Sequence, residues 1–215
     1  MPVTQQDDGK FTFTQPSGKV AIGATFRPER LAWNPFADVS ESDWFYDGVK
    51  YVYEHSLMNG TAANQFTSHL NTSRGMIVTI LWRLEGAPKA KTTASFPDVS
   101  GDKYYASAIA WGTENGIVQG YGDGTFGPDN PITREQLAAI LYRYAQFKGM
   151  DTTATSDLTQ FNDQPSAWAA ESVRWAVGEE IVSGKGGGVL DPQGTATRAE
   201  AAEVLMRFLT NYEIG

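Results

Sequence analysis

The feature that most constrains this 215-residue chain is an internal repeat. Laid against itself, the sequence returns to the same markers after 60 and then 64 residues, a period that signals copies of one supersecondary unit. Phe36-Ala37-Asp38-Val39, Phe96-Pro97-Asp98-Val99 and Phe161-Asn162-Asp163 open three units, followed by the aromatics Trp44, Tyr104 and Trp168. Each unit then reaches a glycine (Gly60, Gly120, Gly184) and a loop apolar residue (Phe66, Phe126, Leu190). An arginine stands eight residues beyond that, at Arg74, Arg134 or Arg198, and a second nine further on, at Arg83, Arg143 or Arg207. From the first aromatic onward the register holds without a gap.

The units read as helical. Thr133 is a good N-cap, and Gln136, three residues on, completes a capping box, so a helix starts just after Thr133. The second helix of each unit has one apolar face: Ile77, Ile80, Leu81 and Leu84 match Leu137, Ile140, Leu141 and Tyr144, and again Ala201, Val204, Leu205 and Phe208. The first helix presents Tyr51, Trp111 or Trp175. Two short helices cannot close a core alone, so three units of similar length are expected to share one around a pseudo-threefold axis, giving an all-α fold. Polar linkers at 86–95 and 149–160 should cross the surface. The boundaries expected are a leader at 1–30 and units at 31–88, 89–150 and 151–215. In the leader, Phe11 and Phe13 share a face, 16–18 form a turn, and Val20, Ile22, Ala24 and Phe26 alternate as a second strand. That β-hairpin resembles the closing hairpin of small extracellular β-repeats of bacterial surface proteins.

Composition excludes several functions. With 25 acidic against 17 basic residues and no basic stripe, nucleic acid is not an expected partner. There are no cysteines, hence no disulfide, zinc-thiolate or thiol nucleophile. No apolar run approaches the roughly 20 residues that span a bilayer, so membrane insertion is not expected. The first residues lack the basic and apolar regions of a signal peptide, which leaves a cytoplasmic protein or a fragment whose export signal lies elsewhere.

The arginines carry the chemistry. Arg74, Arg134 and Arg198 fall in first helical turns, where like charge is unfavourable by about 0.3 to 1 kcal/mol. Helix amides and a guanidinium together favour an anion, and arginine offers a planar two-pronged donor to a carboxylate. The alternative is that each pairs with a nearby acid, Asp129 for Arg134 or Asp191 for Arg198, and pins the loop. Arg83, Arg143 and Arg207, two and a half turns later, face elsewhere and read as structural. Trp44, Tyr104 and Trp168 suit either stacking on a sugar face or core packing. Gly60, Gly120 and Gly184 read as positive-φ turns, with a second role in admitting a ligand to the backbone. Asp38, Asp98 and Asp163 read as caps or turn formers, and His55 and His69 have no second histidine at metal spacing. No calcium loop, nucleophile elbow or carboxylate pair is evident, so neither cofactor nor catalysis is expected.

These motifs resemble the S-layer homology domain family, in three tandem repeats over about 36–210. Its pattern is nearly complete in the middle unit, as Phe96 to Val99, Gly116-Ile117-Val118-Gln119-Gly120, Gly124-Thr125-Phe126-Gly127-Pro128 and Thr133-Arg134-Glu135-Gln136. The third unit carries Thr197-Arg198-Ala199-Glu200 in full. The first departs most, with Ser73-Arg74-Gly75-Met76. The resemblance implies a spindle of three repeats around a three-helix centre. It further implies a non-catalytic, extracellular module, monomeric as a fragment, that anchors a bacterial surface protein to the cell wall. Its ligand would be an acidic secondary cell-wall polysaccharide, commonly bearing a pyruvate ketal, held in grooves between repeats. The resemblance gives the motif arginines the acidic group; with the residues read above, the expected ligand-binding set is the three first-turn arginines, the three aromatics, the three glycines, and Thr133, Thr197 and Glu200, with Arg74 contributing least. A protein-interaction or self-assembly module is the alternative.

Overall fold

The computed structural model describes residues 4–5, 11–12, 33–92 and 96–214, in two bodies, 1–33 and 34–215. In the first body, β1 (Thr4–Gln5) and β2 (Phe11–Thr12) pair antiparallel, Thr4 opposite Thr12 and Gln5 opposite Phe11. Beyond Thr12, the hairpin expected over 11–26 lies outside the described residues.

The second body, which holds the three repeat units, is helical: α1 (Tyr46–Glu54), α2 (Arg74–Leu84), α3 (Ala106–Glu114), α4 (Arg134–Phe147), α5 (Ala170–Gly178, after a 3₁₀ turn at Ala167–Ala169) and α6 (Arg198–Asn211). Their starts follow from the capping residues. The Thr133 and Thr197 hydroxyls each accept the N3 amide, and in return each threonine's backbone N–H donates to the N3 side chain, Gln136 Oε1 and Glu200 Oε2. Ser73 accepts from the Met76 amide at 3.3 Å but gets nothing back, because methionine has no acceptor oxygen to offer. The apolar faces expected for α2, α4 and α6 are buried, Leu84 only partly. The short helices α1, α3 and α5 end at Ser56, Gly116 and Glu180, left-handed positions with φ of 57°, 70° and 58°.

Packing runs between units. Helix α3 packs on α2, α5 on α4, and α1 returns to pack on α6. Each first helix therefore finds its partner in the preceding unit, and the first unit closes on the last. A ring of backbone hydrogen bonds repeats the circuit: Thr72 N–H to Ala196 O at 3.0 Å, Ala196 N–H to Ile132 O at 2.8 Å, and Ile132 N–H to Thr72 O at 2.9 Å. Trp175, Tyr144 and Phe208 are fully buried among the core residues.

Two expectations about the loops are corrected here. The opening aspartates, read as caps or turn formers, are not helix caps, although Asp38 and Asp98 do sit in turns. Asp38 accepts the Phe66 and Thr67 amides, Asp98 those of Phe126 and Gly127, and Asp163 those of Leu190 and Asp191, at 2.6–2.9 Å. Each carboxylate thus clamps the far loop of its own unit. Nor do Gly60, Gly120 and Gly184 adopt positive φ. They are small because the opening phenylalanine lies against them: a Cβ at Gly60 would come within 2.7 Å of the Phe36 ring and at Gly184 within 2.6 Å of Phe161, and Phe96 is likewise against Gly120.

Candidate functional site

The circular packing produces three grooves, each assembled from all three units. One is lined by Arg74 of the first unit, Gly120 and Arg143 of the second, and Trp168 of the third, and encloses about 570 Å³. A second, of about 420 Å³, has Arg134 of the second unit, Gly184, Glu200 and Arg207 of the third, and Trp44 of the first. The third, of about 320 Å³, has Arg198 of the third unit, Gly60 and Arg83 of the first, and Tyr104 of the second. These are the dimensions of a small-molecule pocket.

The first-turn arginines are buried at the base of the grooves, 4–7% exposed. They are tied mainly to backbone carbonyls of the next unit. Arg74 donates from Nε to Phe126 O at 2.9 Å and from Nη2 to Gln119 O at 3.0 Å. Arg198 repeats this with Phe66 O and Asn59 O, at 2.8 and 2.6 Å. Arg134 does so with Leu190 O and Ser183 O, at 3.1 and 2.5 Å. The acids set against them as alternatives are otherwise engaged: Asp129 accepts from the Tyr105 hydroxyl and Asp191 pairs with Lys185. Arg134 alone of the three has an acid partner among the described residues, Glu200 at 3.1 Å.

The helix amides are not open to a ligand, contrary to expectation. Arg74 and Gly75 donate their N–H groups to Asn130 O and Pro128 O, Arg134 and Glu135 to Gly194 O and Pro192 O, and Arg198 and Ala199 to Leu70 O and Ser68 O. The N3 amide goes to the cap hydroxyl, which commits the hydroxyls of Thr133 and Thr197 to the helix start. Both the helix starts and the guanidiniums therefore seam one unit to the next.

What the grooves leave unpaired lies elsewhere. Arg74 Nη1 and Arg198 Nη1 have no hydrogen-bond partner among the described residues. Arg83 and Arg143, read from sequence as structural, line the Arg198 and Arg74 grooves and have no acid partner among the described residues. Burial pushes the Arg143 guanidinium below its ordinary pKa. Burial does the same to Arg74, with the charge of Arg143 adding to it while Tyr121 and Asp98 oppose. In both, burial disfavours the charged form of a group that nonetheless keeps its proton in a protein. The half-turn offset between Arg134 and Arg143 is real: Arg134 enters the groove toward the third unit, and Arg143, from the other side of α4, enters that of Arg74.

The expected aromatics form the outer wall. Trp44, Tyr104 and Trp168 are 65%, 54% and 56% exposed, so core packing is excluded for them. Trp44 stands edge-on to Phe45 and Tyr104 to Tyr105. Gly60, Gly120 and Gly184 lie on the groove walls, and Glu200 lines the Arg134 groove.

Three interlocked helical units, with arginine-based, aromatic-rimmed grooves at their junctions, define a cyclic repeat module. The chain belongs to the S-layer homology domain family, which matches at residues 35–75, 95–138 and 160–202, more than half of the chain. It is similar to an endoglucanase of Bacillus sp. (strain KSM-635), 29% identical over 81% of this chain, and to the cellulosome-anchoring protein of Acetivibrio thermocellus, 29% identical over 73%. It is also similar to the S-layer protein sap of Bacillus anthracis, 27% identical over 86% of this chain. The matches span only 19%, 36% and 22% of those relatives' own lengths.

Proposed function

We propose that this chain is a non-catalytic cell-wall anchoring module that binds an acidic, pyruvylated secondary cell-wall polysaccharide in the grooves between its repeats, holding a surface protein to the outside of the cell. The observation that carries this reading is the Arg74 groove. Two arginines converge there, neither with an acid partner among the described residues, below an exposed indole. A pyruvate ketal puts a carboxylate on a pyranose ring, so the acid can meet the guanidiniums while the ring's C–H face lies on Trp168. Relatives whose names refer to surface layers and to anchoring support the location. The cyclic hydrogen bonds and circular helix packing support a pseudo-threefold spindle centred on α2, α4 and α6.

Sedimentation with protein-free cell walls tests the reading. The chain should pellet with native walls and stay in solution with walls whose pyruvate has been removed. Equal pelleting with both, or none with either, would count against it; retention only on protein-bearing envelopes would favour a protein partner instead.

A further inference from the structure

The three grooves share one frame but not one charge. At the N3 position of the second helix stand Met76, Gln136 and Glu200, and one turn later Thr79, Ala139 and Glu203. In the facing loop the corresponding residues are Thr61, Tyr121 and Lys185. At these positions all the charged residues fall in the Arg134 groove, and there they pair with one another; Glu135 lines the Arg74 groove, but its carboxylate accepts the Ser166 amide and hydroxyl and Gln193 Nε2, at 2.9–3.0 Å. Glu200 Oε1 lies 3.1 Å from Arg134 Nη1 and 3.3 Å from Lys185 Nζ; Lys185 also reaches Asp191 at 2.7 Å. Glu203 Oε2 lies 3.3 Å from Arg207 Nη2.

The placement of Glu203 is built into the fold. Its Oε1 accepts the Gly48 amide at 3.1 Å, and a Cβ on Gly48 would lie 2.7 Å from that oxygen. The equivalent positions, Ala108 and Ser172, carry side chains, and the residues matching Glu203 in the other two units, Thr79 and Ala139, are not acids. Three cations thus meet three carboxylates, and a ligand carboxylate entering beside Glu200 and Glu203 would meet like charge with no unpaired arginine to repay it. The cavity is nonetheless open, and Trp44, 65% exposed, offers the same stacking wall as Trp168. Carboxylate acceptors beside guanidinium donors suit the neighbouring hydroxyls of an uncharged pyranose.

We propose that the Arg134 groove is a neutral-sugar site, and that acidic sugars are taken by the Arg74 and Arg198 grooves. This rests on the wall-glycan reading above. One strand of alternating acidic and neutral units could then occupy unlike grooves of one module, with the retention that comes from joined sites.

The test uses the indole N–H signals of Trp44 and Trp168 in ¹⁵N spectra, assigned with Trp44→Phe and Trp168→Phe, as separate reporters of the two grooves. The titrants are a neutral N-acetylhexosamine glycoside and its pyruvate ketal. The ketal should move Trp168 and leave Trp44 in place, while the neutral sugar moves Trp44. Glu200→Gln/Glu203→Gln should admit the ketal to the Trp44 groove with affinity raised about tenfold or more as like charge is removed. Gln136 already caps α4 as glutamine would cap α6; Glu200→Gln alone serves if the double variant melts early. Binding of the ketal at Trp44 in the unaltered chain as tightly as at Trp168 would overturn the proposal, as would a Trp44 signal indifferent to both sugars. A silent Trp168 with a responsive Trp44 would sink the acidic-glycan reading and leave the neutral site standing.

Discussion

Arg74 and Gln119, 45 residues apart in sequence, are joined by a 3.0 Å hydrogen bond from guanidinium Nη2 to a backbone carbonyl. The arginine of one unit is fastened into the turn of the next, and Arg134 and Arg198 do the same around the circuit. These side chains fasten the units to one another.

Substituting Arg74 by lysine should therefore cost stability even though charge is kept. Lysine cannot satisfy Phe126 O and Gln119 O together at these positions, and the loss of one of the two charge-assisted bonds should lower stability by about 2 to 3 kcal/mol. For a domain of this size that is a fall in Tm of about 4 to 12 °C. A thermal melt of Arg74→Lys checks this, and an unchanged Tm would deny the seam.

Arg143 separates binding from folding. It has no acid partner among the described residues and repels Arg74. Arg143→Ala should melt at or slightly above the unaltered chain, yet bind acidic glycan about tenfold or more weakly, the worth of one charge-assisted bond. Melting and calorimetric titration of the same sample give both readings.

The turn glycines and the left-handed residues predict opposite outcomes. Gly120→Ala drives a methyl into Phe96 and the Thr125 carbonyl and should cost about 1 to 3 kcal/mol. Glu180→Gly removes a side chain from a left-handed site, φ 58°, and should gain about 0.5 to 1 kcal/mol after glycine's own entropy cost. Denaturant titrations of the two variants should move in opposite directions.

Loop clamping sets the acid limit. For Asp98, burial opposes ionisation, but the Phe126 and Gly127 amides outweigh it and hold the carboxyl below its ordinary 3.8; the Leu190 amide leads the same effect at Asp163. A depressed carboxylate pKa gives stability that is full above the ordinary value and lost as pH falls through the folded one. Burial raises Glu203, whose ionisation opposes folding above 4.5. Tm should hold or rise slightly as pH falls toward that value and then drop below about pH 4. Asp98→Asn should melt lower near neutrality and decline less steeply in acid.

The sequence makes the local physics legible and hides what crosses between units. The period, the apolar faces of α4 and α6 and the Thr133 capping box depend on neighbours within a few residues, and all three were readable. What Arg134 touches depends on Ser183 and Leu190, about fifty residues away, and no spacing rule reaches that far. The same reason explains the missed arginines. Arg143 does face away from Arg134, as helix geometry requires, but only the circular packing makes that far side the wall of another groove. The small size of Gly120 was legible; that Phe96, not backbone φ, demands it was not.

The most direct test of the central claim is calorimetric titration of the chain with purified wall polysaccharide, before and after removal of its pyruvate, alongside folded Arg143→Ala. The account predicts binding that weakens about tenfold or more on either change, one removing the anion and the other its unpaired cation. Equal affinity for both polysaccharides in both proteins would contradict it.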